Sequence, residues 1–282
     1  MSIDTTWLRC PNCLLPLETV EARVLGCDTG HRFDLSKHDT VTLLPPKAPR
    51  TIGDDRAMLT ARAALLESGA FAPIASAIAD AVQSIPVAND GATMRVADLG
   101  CGTGYYSTQL SRSMPGLQFL LGDRSPDAVR MSRRALERGT GVVLDIWRPL
   151  PIRDAAADVV LNVFAPRNPP EFARILRPHG RVIVVVPTTA HLRELRATGA
   201  MLDVPAEKAE LVGSRFADAG FSASSRATVE YDLEADEAMQ TALVGMGPSA
   251  HHSTDRPADD AAPRRLTVSI DVLVFAAGSR AD

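Results

Sequence analysis

At 282 residues the chain is long enough for one large domain or two unequal ones. Its hydrophobic fraction of 45% and charged fraction of 23% are those of an ordinary globular protein with a sizeable core. The net charge of −4 speaks against a molecule coated in basic charge, and no apolar run approaches the ~20 residues of a helical membrane span.

Three of the four cysteines fall in the opening segment. Cys10, Cys13, Cys27 and His31 have the spacing C-x2-C-x13-C-x3-H. Three thiolates and an imidazole complete a tetrahedral zinc shell and leave no position for water, so the expected site is structural. Pro11 and Asn12 suit a tight knuckle, and Gly26 and Gly30 permit a second. Short strands are predicted near Leu25-Gly26 and Val41 to Leu44. Few cysteines, mostly committed to metal, and no basic segment leading into an apolar one point to a cytoplasmic protein without a secretory signal. A linker stiffened by proline follows from Leu44 to Pro49. Arg56 to Glu67 reads as a helix closed by Gly69. Pro73 to Ser84 reads as another, with Ile74, Ala77, Ile78, Ala81 and Val82 on one face.

From Met94 short apolar runs alternate with helical segments. Strands are predicted at Arg95–Leu99, Gln118–Asp123, Gly141–Leu144, Ala157–Val163 and Arg181–Pro187. Helices are predicted at Tyr105–Met114, Ser125–Arg138 and Glu171–Leu176. This alternation specifies an α/β fold with a doubly wound parallel sheet covered by helices on both faces. Gly245 to Arg265 is poor in apolar residues and reads as a loop, its His251-His252 pair as exposed rather than as a second metal site. Leu266 to Phe275 alternates and reads as a final strand. The resulting division is a metal module over 1–45, a helical linker region over 46–90 and a cofactor domain over 91–282. Positive charge clusters twice, at Lys47, Arg50, Arg56 and Arg62, and at Arg124, Arg130, Arg133, Arg134 and Arg138. On charge alone each cluster is a solvated face.

The loop Gly100-Cys101-Gly102-Thr103-Gly104 follows a strand and opens a helix. Glycines let the backbone approach a ligand at the carboxyl ends of the strands. The spacing is one residue short of a dinucleotide fingerprint, and no Walker lysine follows. Asp123 ends the second strand, where it can accept from a ribose diol. Asp145 follows the third, where an adenine edge lies.

Val-Ala-Asp-Leu-Gly-Cys-Gly-Thr-Gly-Tyr-Tyr resembles the first motif of class I (Rossmann-like) S-adenosylmethionine-dependent methyltransferases. The zinc segment, Gly53-Asp54, the helix Arg-Ala-Ala-Leu-Leu-Glu-Ser-Gly-Ala-Phe, Phe164-Ala165-Pro166, Leu176 to Arg181 and Pro187 to Leu192 complete a resemblance to the RlmA family. These are 23S rRNA guanine-N1 methyltransferases, tylosin-resistance enzymes among them. The resemblance covers most of the chain and fades after Met246-Gly247-Pro248. It implies S-adenosyl-L-methionine and a structural Zn2+ held by Cys10, Cys13, Cys27 and His31. It implies cofactor contacts at Phe71, Asp98, Gly100, Gly102, Thr103, Asp123 and His191. It implies a 23S rRNA hairpin as partner, with G748 ahead of G745, a macrolide-resistance role, a homodimer and no membrane contact. The zinc module then recognises RNA, and the arginines behind it hold the hairpin backbone.

Guanine N1 carries a proton that must leave, so a base or polarising acceptor is expected among Asp145, Asn162 and His191. The target base must be splayed out, against Tyr105, Tyr106 or Phe164. For Tyr106 and Phe164 a place in the core is the plainer expectation. Two other readings share parts of the pattern: a methyltransferase of a small metabolite, and a non-enzymatic zinc-containing RNA-binding protein.

Overall fold

The computed structural model of the chain describes residues 3–46, 53–86, 93–136, 138–199, 201–245 and 263–278. Lys47, Arg50, the Met246-Gly247-Pro248 turn and the His251-His252 pair lie outside the described residues.

The opening segment forms a 3-10 turn, Thr5–Trp7, capped by the Asp4 side chain. An antiparallel sheet follows, of β1 (Glu18–Glu21), β2 (Val24–Gly26) and β3 (Arg32–Asp34). The next strand, β4 (Thr40–Thr42), leaves that sheet. It runs parallel to β7 (Thr140–Val143), and Leu43 N donates to Val143 O at 2.9 Å. The metal segment thus contributes the edge strand of the main sheet.

Helices α1 (Arg56–Glu67) and α2 (Ala72–Gln83) stand where periodicity placed them. The alternating part then supplies β5 (Arg95–Leu99), α3 (Tyr105–Ser113), β6 (Gln118–Asp123), α4 (Pro126–Ala135), β7, β8 (Ala157–Val163), α5 (Pro169–Ile175) and β9 (Leu176–Pro187). Helix α4 stops short of the expected Arg138, because Leu136 leaves helical geometry at φ −130°. The remaining elements are α6 (Arg193–Arg196), α7 (Lys208–Asp218), β10 (Phe221–Ala235), α8 (Glu237–Gly245) and β11 (Arg264–Ala277).

The main sheet has eight strands in the order β10-β11-β9-β8-β5-β6-β7-β4. The parallel sheet expected from the alternation is present and is extended at one end by antiparallel strands. β11 is antiparallel to β9, and β10 to β11, so these strands need no crossover helix between them. The parallel strands β5, β6 and β8 are apolar runs buried on both faces. β11 is also buried along most of its length, although its sequence alternates. Its polar residues are satisfied inside: Thr267 by Glu194, Ser269 by Thr188, and Asp271 by Arg226 and Thr228.

The core divides into one layer on each face of the sheet. One layer joins Trp7, Leu8, Cys10, Leu25 and Cys27 to Leu99, Leu144, Val160, Phe172 of α5 and Phe216 of α7. The other packs Leu65, Phe71, Ile78 and Leu110 of the helical side on Val96, Leu121, Leu161 and Ile270. The metal segment therefore covers part of a face that helices alone were expected to cover. Polar contacts fasten it there. Arg9 Nε donates to Leu150 O at 2.9 Å, and its guanidinium meets Glu171 at 3.4 Å. Arg153 donates to Leu8 O and Leu17 O. No single described helix is long and apolar enough to cross a membrane.

Candidate cofactor site and metal centre

Two knuckles build the metal centre. In the first, Leu14 N donates to Cys10 O and Cys10 N to Leu15 O, with Leu14 at φ +63°. In the second, Gly30 N donates to Cys27 O and Cys27 N to His31 O. These turns aim Cys10, Cys13, Cys27 and His31 at one point, with all four ligand atoms within 4.8 Å of one another. Cys13 Sγ and Cys27 Sγ are 3.5 Å apart, and His31 Nδ1 is 3.6 Å from Cys10 Sγ and 3.4 Å from Cys27 Sγ. A tetrahedron with Zn–S bonds of about 2.3 Å has sulfur–sulfur edges of about 3.8 Å, so the cluster fits zinc. Burial pushes the Cys10 thiol up to about 11. At Cys27 burial opposes ionisation, and hydrogen bonds from Thr29, His31 and Cys13 outweigh it to bring the thiol down to about 6. A divalent cation is the group that lets three such unequal thiols ionise together.

The cofactor loop connects β5 to α3. Gly100, at φ +91°, has no room for a side chain: a Cβ there would lie 2.3 Å from Ala165 Cβ. The loop after β8 is therefore pressed against the loop after β5. Gly102, at φ +51°, faces open space instead, and the nearest atom to a Cβ there would be Arg62 Nη1 at 3.8 Å. Asp123, at the end of β6, accepts from Gly102 N at 3.0 Å and from Ser125 N at 2.9 Å. Asp98 is buried one residue before the end of β5 and accepts from Ser107 Oγ at 2.6 Å. Burial, partly offset by that bond and reinforced by Asp123, raises its carboxyl to about 7. Thr103 is buried in the loop, and Phe71 is buried at the start of α2 in the same apolar cluster as Cys101.

The three catalytic candidates differ in chemistry. Asp145 accepts from Trp147 N at 3.0 Å and pairs with Arg124 at 3.6 Å. Asn162 is fully buried, and its Nδ2 donates to Leu99 O at 3.0 Å and Pro166 O at 2.8 Å. It staples the two loops together, while its Oδ1 is buried without a partner. His191 accepts from Ser269 N through Nδ1 at 3.3 Å and stacks on Phe164. Burial, with Arg196 nearby, pushes its pKa down to about 4, so the ring is neutral at pH 7 and carries its proton on Nε2. A glycine cradle, the buried Asp98, the half-buried Asp123 and one orphaned acceptor suit a cationic ligand with a diol and an amino group, as S-adenosylmethionine is.

The aromatic candidates separate. Tyr105 and Tyr106 meet edge-on at 5.2 Å and pack against the helical core layer. Phe164 is 43% exposed and has φ +51°, against the core position expected for it. Arg62 is corrected too. It is not a solvated cation: it pairs with Asp54 beside Gly102, and Ser125 Oγ donates to Asp54 O at 2.8 Å. The Asp54–Arg62 spacing of eight residues is no helical pairing period, so sequence offered no signal for it.

Two outcomes follow from this geometry. Because Cys10 and Cys27 share a core layer with Leu99 and Leu144, chelating zinc, or Cys10→Ser, should lower the stability of the whole chain. The loss should be on the order of several kcal/mol, in one cooperative transition by circular dichroism; a catalytic-domain transition that stays put would show that the segment melts alone. Folded Asp98 keeps its proton where the unfolded carboxyl, at 3.8, has lost it, so its contribution to stability falls as pH rises from 3.8 to about 7. Urea melts at pH 5 and pH 8 should show Asp98→Asn gaining on the wild type as pH rises.

A family model described as "Methyltransferase domain" matches residues 96–184, and one described as "RlmA, N-terminal" matches residues 8–51. The 23S rRNA (guanine(748)-N(1))-methyltransferase of Streptomyces fradiae is 39% identical over 246 residues, spanning 87% of this chain and 86% of that protein. A provisionally named 23S rRNA (guanine-N(1)-)-methyltransferase of Micromonospora griseorubida is 38% identical over 280 residues, spanning 94% and 91%. A solved methyltransferase in complex with the Haloferax volcanii Trm112 activator shares the fold, with a TM-score of 0.52 at 20% identity over 80% of this chain and 99% of that one. The methyltransferase domain implies S-adenosylmethionine as cofactor, and the zinc-ribbon match agrees with the Cys3His cluster in implying structural zinc. The chain belongs to the RlmA family of 23S rRNA (guanine-N1)-methyltransferases.

Proposed function

We propose that this chain methylates N1 of a guanine in a 23S rRNA hairpin loop, in the cytoplasm, and that the target is G748 in a tylosin-type resistance role. The observation that carries this reading is the union of a Cys3His cluster and a methyltransferase glycine loop in one core, matched across both parts by the Streptomyces fradiae enzyme. A homodimer, as in the family resemblance, belongs to the same reading.

S-adenosylmethionine supplies an electrophilic methyl on a sulfonium centre. In this reading Gly100, Gly102 and Thr103 form its cradle, Asp123 accepts from its diol, and Asp98 balances its positive charge. Phe71 closes the cradle from the helical side. The methionine carboxylate needs a cation, and Arg62 is the one beside Gly102. Among the catalytic candidates, Asn162 holds the two loops together through its donors. His191 presents Nε2–H, which suits it to donate to an acceptor such as O6 and to stabilise the charge left when N1 loses its proton. Asp145 is the one carboxylate of the three and so the group able to take that proton.

The reading is tested by reverse transcription of 23S rRNA from cells with and without the gene. Methylation of N1 blocks pairing, so a stop should appear only with the gene, and mass spectrometry should find N1-methylguanosine there. A stop that persists in the deletion strain sinks the assignment, and turnover of small metabolites alone would favour the metabolite enzyme. Arg62→Gln should weaken S-adenosylhomocysteine binding by about tenfold or more, the loss of one charge-assisted hydrogen bond. It should leave 5′-methylthioadenosine, which lacks the carboxylate, unchanged. Equal loss for both ligands in calorimetry would remove Arg62 from that role.

A further inference from the structure

Two loops meet at Gly100, and each lifts an aromatic ring into solvent. The first turns tightly after Asp145, which accepts from Trp147 N through its side chain and from Arg148 N through its carbonyl. This turn leaves Trp147 64% exposed. The second carries Phe164, held at φ +51° with its N donating to Val185 O. A bulky residue in the left-handed region costs free energy that surrounding structure must offset, and such strain gathers at functional sites. Asn168 Nδ2 ties the loops together by donating to Ile146 O at 2.8 Å. Ile146 and Ala165, the neighbours of the two aromatics, both abut Gly100.

Around these rings the charge pattern changes. Elsewhere arginines such as Arg9, Arg62, Arg124, Arg153 and Arg174 sit on carboxylates. Arg148, Arg167, Lys208 and Arg215 have no ion pair among the described residues. Arg148 follows Trp147 and Arg167 follows Phe164 by three. Arg167 Nε is buried with no partner. Arg215 acts on Arg167, and Arg167 on Lys208, as like charges. Exposed rings whose loops also carry Arg148 and Arg167, with Lys208 and Arg215 as further like charges about Arg167, are complementary to a ligand with open aromatic faces and regularly spaced negative charge. Unpaired RNA is such a ligand, whereas a duplex hides its base faces in the stack.

We propose that Trp147 and Phe164 are stacking platforms for unpaired bases, and that Arg148, Arg167, Lys208 and Arg215 hold the phosphates of the same strand. This deepens the rRNA reading and rests on it. It places the RNA loop over the gap between the loops after β7 and β8, beside the cofactor cradle.

The chain has two tryptophans, and the other, Trp7, is 1% exposed, so accessible tryptophan fluorescence reports on Trp147. The probes are a synthetic stem–loop of the target hairpin and the fully paired duplex of its stem, titrated into zinc-loaded full-length protein. The stem–loop should quench the emission and shield it from acrylamide, and the duplex should not. Trp147→Phe should abolish this signal while binding the stem–loop nearly as well; Trp147→Ala should bind about tenfold more weakly. Arg167→Gln with Lys208→Gln should lower the slope of log affinity against log salt by about 0.7 for each phosphate no longer neutralised. If the wild type methylates the stem–loop while Trp147 stays open to acrylamide and Trp147→Ala binds within twofold, the surface is wrong and the function stands. If the wild type neither binds nor methylates the stem–loop, both fall together.

Discussion

The near-contact between Gly100 and Ala165 is the constraint on which the site depends. With room for no atom between a Cβ at 100 and the Ala165 methyl, the loops after β5 and β8 are a single unit. Asn162 reinforces the unit by donating to a carbonyl on each side. The glycine cradle, the exposed Phe164 ring and the Phe164–His191 stack are positioned together as a result. A displacement of either loop would move the glycine loop and Phe164 at once.

The electrostatics divide along the same seam. Toward the helical side, burial raises the carboxyls of Asp98 and Asp123 beside the glycine loop, and Arg62 lies at the edge of that loop. Toward the α5 and α7 side, Arg167, Lys208 and Arg215 have no ion pair among the described residues, and Arg167 follows the exposed Phe164 by three. His191, stacked on Phe164, is kept neutral by burial.

Much of this was legible because the chemistry is local in sequence. The metal knuckles and the glycine loop are built from residues within a few positions of one another, and local turn chemistry dictates their geometry. The parallel strands were legible because burial on both faces demands unbroken apolar runs. The misses share the opposite property. β10 is polar and mostly exposed, and its strand geometry comes from its long register with β11. β11 alternates in sequence, yet Asp271 is kept inside by Arg226 and Thr228 of that neighbour. Phe164 reads as core because it continues an apolar strand, and only a backbone turn at one residue sends it outward. Arg62 reads as solvated because its partner, Asp54, is brought to it by the path of the chain rather than by a repeat.

The pairing of β4 with β7 has a consequence for biosynthesis. A nascent chain leaves the ribosome with its four metal ligands complete by His31, but the strand that Thr40–Thr42 must join ends at Val143. Through that interval of translation the main sheet is not there for β4 to join, and the Leu8 and Leu25 side chains lack the core layer they share with it. Metal capture can join the β1-β2-β3 pairing in holding the segment together during that interval, which links zinc supply during synthesis to the folding of the whole enzyme.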